Sequence, residues 1–178
     1  MTNREFLEAV QSRAARAAVG TSAVRGGPSG TKDAARDHLR SIDLRRFAVS
    51  PSRFPSVLNR ETKQLLKVLP RGARWGLARK VLNIFLRDCL YTTYLESRFR
   101  LSKAEAALEI PLDKLTATGL RRFAGPRALP AWSGVKHLTP RVSAKYQAAA
   151  MAMSDALGIH RVHVDSVLWS QERDASAI

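Results

Sequence analysis

The sequence predicts an all-α fold. Three observations carry that reading: apolar residues recur at helical spacing, capping signals punctuate the chain, and no segment alternates as a strand would. Thr2-Asn3-Arg4-Glu5 has the spacing of a capping box and leads into Phe6, Leu7, Val10 and Ala14 on one helical face. Gly20 to Gly30 is a loop by composition. A helix resumes near Thr31 and carries Ala35, Leu39 and Ile42 on one side. Pro51 and Pro55 break the next stretch, because each favours an extended residue before it. Ser56 to Leu69 reads as a helix with Leu58, Leu65, Leu66 and Leu69 apolar, stopped by Pro70 and Gly72.

The longest helix is expected from Trp75 to Arg98, with Ala78, Val81, Leu82, Phe85 and Cys89 on one stripe. Lys80 falls opposite that stripe, where a solvated side chain is expected. Ser102-Lys103-Ala104-Glu105 is a second capping box, opening a short helix that must stop before Pro111. Asp113 can cap a helix through Leu115, Leu120 and Phe123. Ala124 to Leu138, with Gly125, Pro126, Pro130 and Gly134, reads as a long loop. Thr139-Pro140 is an N-cap followed by proline in the first helical position. That helix carries Val142, Tyr146, Met153 and Leu157, and Gly158 supplies its stop. A last short helix covers Val162 to Trp169.

With 178 residues, the chain fits one helical unit of two lobes, approximately 1–50 plus 139–178, and 51–138. Thirty Lys and Arg oppose fifteen Asp and Glu, a formal net charge of +15. Such a surplus repels itself in a compact state, so a polyanionic partner is the natural reason to keep it. Arg outnumbers Lys, 22 to 8, which favours forked phosphate contacts over point charges. The basic residues are interleaved with apolar ones throughout, so the charge belongs to a folded body rather than a tail. Double-stranded DNA is the expected partner, bound by a monomer.

The single Cys89 excludes an internal disulfide and a four-cysteine iron–sulfur cluster. No apolar run approaches the roughly 18 residues needed to span a membrane. There is no signal-peptide core, and Glu5 and Glu8 argue against a transit peptide. A cytoplasmic, nucleoid-associated protein is the expectation. His160, His163 and Asp165 are close in sequence, but three good ligands are not evident; packing and capping roles are expected, with no metal and no other cofactor. Cys89 is read as an inert core thiol.

Two strings stand out together. Leu69-Pro70-Arg71-Gly72 leads through Trp75-Gly76-Leu77-Ala78-Arg79-Lys80 into the apolar run Val81 to Leu86. Downstream lies Ile110-Pro111-Leu112-Asp113, and beyond it Gly119-Leu120-Arg121. In content and order, from Leu69 to Arg122, this resembles the helix-hairpin-helix DNA glycosylase superfamily. Its members have a glycine-bearing hairpin, a Lys near the start of the next helix, and an Asp opening a later one. Ala78 stands where the family hairpin carries its second glycine. The separation of Lys80 from Asp113 is similar to that in the archaeal GO glycosylases and longer than in endonuclease III.

The resemblance implies roles that residue chemistry supports. A hairpin between helices leaves N–H groups free, and glycine permits close approach. Arg71, Gly72, Arg74, Gly76, Ala78 and Arg79 are therefore the expected DNA-binding set, with phosphate as the ligand. Lys80 would be the amine that attacks the sugar carbon and forms an imine, and Asp113 the carboxylate that stabilises charge there. A Lys80 held beside Asp113 is expected to be mostly protonated. Trp75 and Trp132, in loop-like surroundings, are expected to wall the pocket for an extruded base. Asp165 is placed to hydrogen-bond within the site from the last helix.

The expected function is excision of a modified base from duplex DNA, with an associated lyase step. Oxidised guanine fits the family pattern, and another modified base, as in phage defence, fits the residues equally. A non-catalytic helix-hairpin-helix DNA-binding protein would keep the charge and hairpin but need neither Lys80 nor Asp113. An RNA-binding basic protein would prefer structured RNA over duplex DNA.

Overall fold

The computed structural model describes residues 1–125 and 127–175, with side chains placed as far as residue 171. Pro126, part of the expected loop, and residues 176–178 lie outside the described set. The described residues form helices and short 3-10 turns without strands. The chain is all-α.

Among the described residues, eight α-helices run in order: α1 (Asn3–Ala18), α2 (Thr31–Ser41), α3 (Phe54–Val68), α4 (Trp75–Tyr91), α5 (Thr93–Phe99), α6 (Lys114–Ala124), α7 (Pro140–Leu157) and α8 (Val164–Ala175). Several starts rest on the expected chemistry. Thr2 accepts from the Glu5 N–H while the Glu5 carboxylate accepts from the Thr2 N–H, closing the box at α1. Thr139 caps α7 with Pro140 in its first turn, and Gly158 ends that helix with φ 66°.

Two expectations fail locally. The long helix breaks at Thr92, whose extended backbone (φ −94°, ψ 105°) ends α4 and opens α5. The box at Ser102 does not form. Arg100 turns left-handed (φ 53°) ahead of a 3-10 turn over Leu101–Ala107, which has no side-chain cap. Glu105, meant to complete the box, instead meets His163.

The apolar residues collect in two cores. The first runs from Ala14 to Leu108 with Val162 added, and includes Leu39, Phe54, Leu65, Leu82 and Phe85. The second runs from Ile110 to Leu168 and centres on Tyr146, Leu120 and Ala150. The change from one core to the other falls near residue 109. Ala14 and Ala18 of α1 and Ala35 and Leu39 of α2 belong to the core of α3 and α4. Gln11 strengthens that grouping by donating to the carbonyls of Leu39 (3.0 Å) and Ile42 (2.8 Å) at the end of α2.

The segment between the cores is fixed from both sides. The Gln147 amide of α7 pairs with both backbone groups of Ile110, accepting at 3.1 Å and donating at 2.9 Å. Arg161 donates to the carbonyls of Ala107 (2.7 Å) and Leu108 (3.1 Å). These bonds satisfy a non-helical stretch that would otherwise bury free polar groups. Just beyond them, Pro111 and Asp113 share a cavity wall with α4, while Leu112 joins the second core. Among the described residues, no helix is long and apolar enough to cross a membrane.

Candidate functional site

Lys80, Ile84, Arg87 and Tyr91 recur at helical spacing along one face of α4, and all four line a cavity of about 360 Å³. The end of α1 and the loop after it, Pro111 and Asp113, and α8 form the other walls. Lys80 is therefore buried, at 7% exposure, rather than solvated. Its helix face is apolar on one side and covered on the other by elements distant in sequence. Both Lys80 and Asp113 line this one cavity, at the junction of the two cores.

Asp113 is held by local chemistry. One of its carboxylate oxygens accepts from the Thr116 N–H at 3.0 Å, and the Thr116 hydroxyl meets the Asp113 N–H at 2.8 Å. This reciprocal cap fixes the carboxylate while its other oxygen takes no part in the cap.

Asp165 is the second carboxylate of the cavity, 2% exposed and ion-paired to Arg87. Arg87 also bonds Asp88 at 2.9 Å. Burial pushes the Asp165 carboxyl up to about 6, against the pull of Arg87, with the Asp113 charge adding to the rise. Burial likewise lowers the Lys80 ammonium below its ordinary value; Asp113 and Asp165 oppose that effect, and Arg25 adds to it. The amine thus releases its proton more readily than a surface lysine, while the nearby Asp113 carboxylate favours the ammonium as expected. A lysine with lowered affinity for its proton beside two fixed carboxylates is equipped for nucleophilic attack.

The expected DNA-binding set divides by exposure. Arg71, Gly72 and Arg74 are exposed on the turn between α3 and α4, where the Ala73 N–H bonds the Pro70 carbonyl at 3.0 Å. Gly72 adopts φ 97°, which glycine permits without strain. Gly76, Ala78 and Arg79 are buried in the first turns of α4 and cannot serve as an outward phosphate cradle. At Gly76 a Cβ would lie 2.3 Å from the Val135 carbonyl oxygen and 2.7 Å from the Leu138 Cβ. The glycine is needed for packing against the chain.

Arg79 is a structural ion. It pairs with Glu109 at 3.2 Å, donates to Thr62 at 2.8 Å and to Asn59, and lies 5.1 Å from the Trp75 ring centre.

Trp75 and Trp132 do not line the Lys80 cavity. Trp75 borders a separate groove with Arg74, Lys136 and His137, while Trp132 packs edge-on against Tyr146 with ring centres 5.6 Å apart. Tyr91 and Trp169 are the aromatic residues at the cavity. The sequence held a signal for them: Tyr91 continues the Lys80–Arg87 face, and Trp169 comes one helical turn after Asp165.

A second, smaller cleft of about 140 Å³ brings Arg25, Gly26 and Gly27 of the loop after α1 beside Gly72, Arg74 and Lys136. The loop that walls the Lys80 cavity through Gly20, Ser22 and Ala23 thus also carries cationic Arg25 to the hairpin. No family model, curated protein or solved structure matches the chain.

Proposed function

We propose that the protein is a DNA glycosylase with an associated lyase step, acting on a modified base in duplex DNA. One observation carries the reading: Lys80, buried on α4, and Asp113, capping α6, line one cavity although far apart in sequence. Exposed Arg25, Arg74 and Lys136 line the smaller cleft, and exposed Arg71 lies on the same turn as Arg74; together they suit phosphates of a strand from which one nucleotide is rotated inward. Tyr91 and Trp169 offer the extruded base aromatic contacts.

The groups present define the chemistry. The free Lys80 amine attacks the sugar C1′ as the C1′–N bond breaks, and the base leaves with the bonding pair and takes up a proton. Positive charge developing on the sugar is stabilised by Asp113. The new ammonium loses its proton, the sugar ring opens to an imine with Lys80, and loss of a C2′ proton expels the 3′ phosphate. Oxidised guanine or another modified base is the proposed target.

Borohydride reduction in the presence of abasic or modified-base duplex tests this directly. The expected product is a covalent protein–DNA adduct mapped to Lys80. Tight duplex binding with no adduct and no base release would instead identify a non-catalytic DNA-binding protein.

A further inference from the structure

The outer wall of the Lys80 cavity is held by a hydrogen-bonded chain with no part in the bond-breaking step. Glu105, on the 3-10 turn Leu101–Ala107, meets the His163 Nε2 at 2.8 Å. The His163 Nδ1 meets the Tyr91 phenol oxygen at 2.9 Å, and the two rings are nearly parallel, 13° apart with centres 5.6 Å apart. Three elements thus converge on the last residue of α4. Tyr91 is 48% exposed and lines the cavity while its phenol is bonded to His163.

The direction of these bonds has a chemical consequence. A carboxylate only accepts, so the proton of a neutral His163 sits on Nε2 and is donated to Glu105. Nδ1 then presents a lone pair, and the Tyr91 O–H donates to it. The phenol proton is committed, and what the oxygen can offer a ligand is a lone pair. The Ser166 hydroxyl, 3.4 Å away, is the one other protein group bonded to that oxygen among the described residues.

We propose that Tyr91 is a specificity-determining residue that accepts a hydrogen bond from a ring N–H of a planar heterocycle in the Lys80 cavity, with His163 and Glu105 as positioning residues that keep its oxygen an acceptor. This rests on the reading of the cavity as a base pocket. It selects purines carrying ring N–H groups, such as oxidised guanine, over purines lacking them.

Nucleoside binding tests the proposal without catalysis. Trp169 lines the same cavity, so ligand entry quenches tryptophan fluorescence. The probes are 8-oxoguanosine, which has ring N–H donors, and purine riboside, which has none. The parent protein is expected to favour 8-oxoguanosine by roughly fivefold or more, the worth of about one hydrogen bond. Tyr91→Phe should bring the two nucleosides to near parity, and His163→Phe should erode the preference similarly. His163→Asn, whose carbonyl can accept the phenol proton, should restore part of it.

Equal binding of both probes by the parent, binding of neither, or an intact preference in Tyr91→Phe overturns the proposal. Borohydride trapping on abasic duplex, where no base is present, separates it from the glycosylase reading. A parent that discriminates the nucleosides but forms no adduct retains the Tyr91 role and loses the glycosylase reading.

Discussion

Arg87 of α4 is ion-paired to Asp165 of α8, joining the two cores at the wall of the cavity that holds Lys80. Asp165 is 2% exposed, so its charge depends on that partner. Removing the guanidinium leaves a buried carboxylate short of compensation. Arg87→Ala should lower stability by about 3 kcal/mol. A calorimetric melt checks it, and an unchanged melting temperature would show that the pair contributes little.

The same carboxylate sets a pH signature. Its folded pKa of about 6 lies above the unfolded value of 3.8, so the native state binds the extra proton. This group's contribution therefore becomes more favourable as pH falls from about 7 to about 5, and is most unfavourable above the folded pKa. Urea unfolding of the parent and of Asp165→Asn should diverge accordingly. The stability difference, parent minus variant, should be about 1 kcal/mol more positive at pH ~5 than at pH ~7. A difference independent of pH contradicts the raised carboxyl.

Lys80→Gln should retain duplex binding and lose both the covalent adduct and most base release. Asp113→Asn is the cleaner partner variant, because asparagine is as good a helix cap as aspartate and α6 should keep its start. It should fold with parental stability, bind DNA and lose most activity. The carboxylates also raise the Lys80 pKa against desolvation, so removing either charge should move the rise of the trapping rate with pH to lower pH. Trapping across a pH series in Asp165→Asn checks the direction; a shift to higher pH contradicts the electrostatic account.

Much of the fold is legible in the sequence because helix starts are local. The Thr2–Glu5 box, the Asp113 cap and the Thr139-Pro140 start each depend on residues within one turn. The box at Ser102 misleads for a long-range reason: Glu105 is claimed by His163 from the far end of the chain. Lys80 and Asp113 can be named from the order of the motif. The burial of Lys80 cannot, since its cover comes from α1, the Pro111–Asp113 segment and α8. Arg79 escapes a sequence reading for the same reason: Glu109, Thr62 and Asn59 reach it only in the folded chain.

Gly76 offers a packing test apart from any activity. A Cβ there would fall 2.3 Å from a backbone oxygen, which cannot rotate away as a flexible side chain could. Gly76→Ala should cost about 2–3 kcal/mol despite alanine's better helix propensity, because the Val135–His137 turn must move. A stabilised variant would show that this turn yields easily.

The contrast between exposed and buried arginines gives the test of the interface. Arg71 and Arg74 are exposed on the hairpin, whereas Arg79 is 5% exposed and paired with Glu109. Duplex affinity should fall steeply with salt, because each neutralised phosphate releases counterions. Replacing Arg71 and Arg74 together with Ala should leave the melting temperature close to the parental value. It should reduce the slope of log K against log salt by about 1 to 2, the worth of one or two phosphates. Arg79→Ala should do the reverse, losing about 3 kcal/mol of stability through the stranded Glu109 while the folded fraction keeps the parental slope. Titrations at several salt concentrations, paired with melts, distinguish the two sets. If Arg79→Ala lowers the slope and leaves stability intact, the guanidinium faces DNA after all and the division of the hairpin arginines fails.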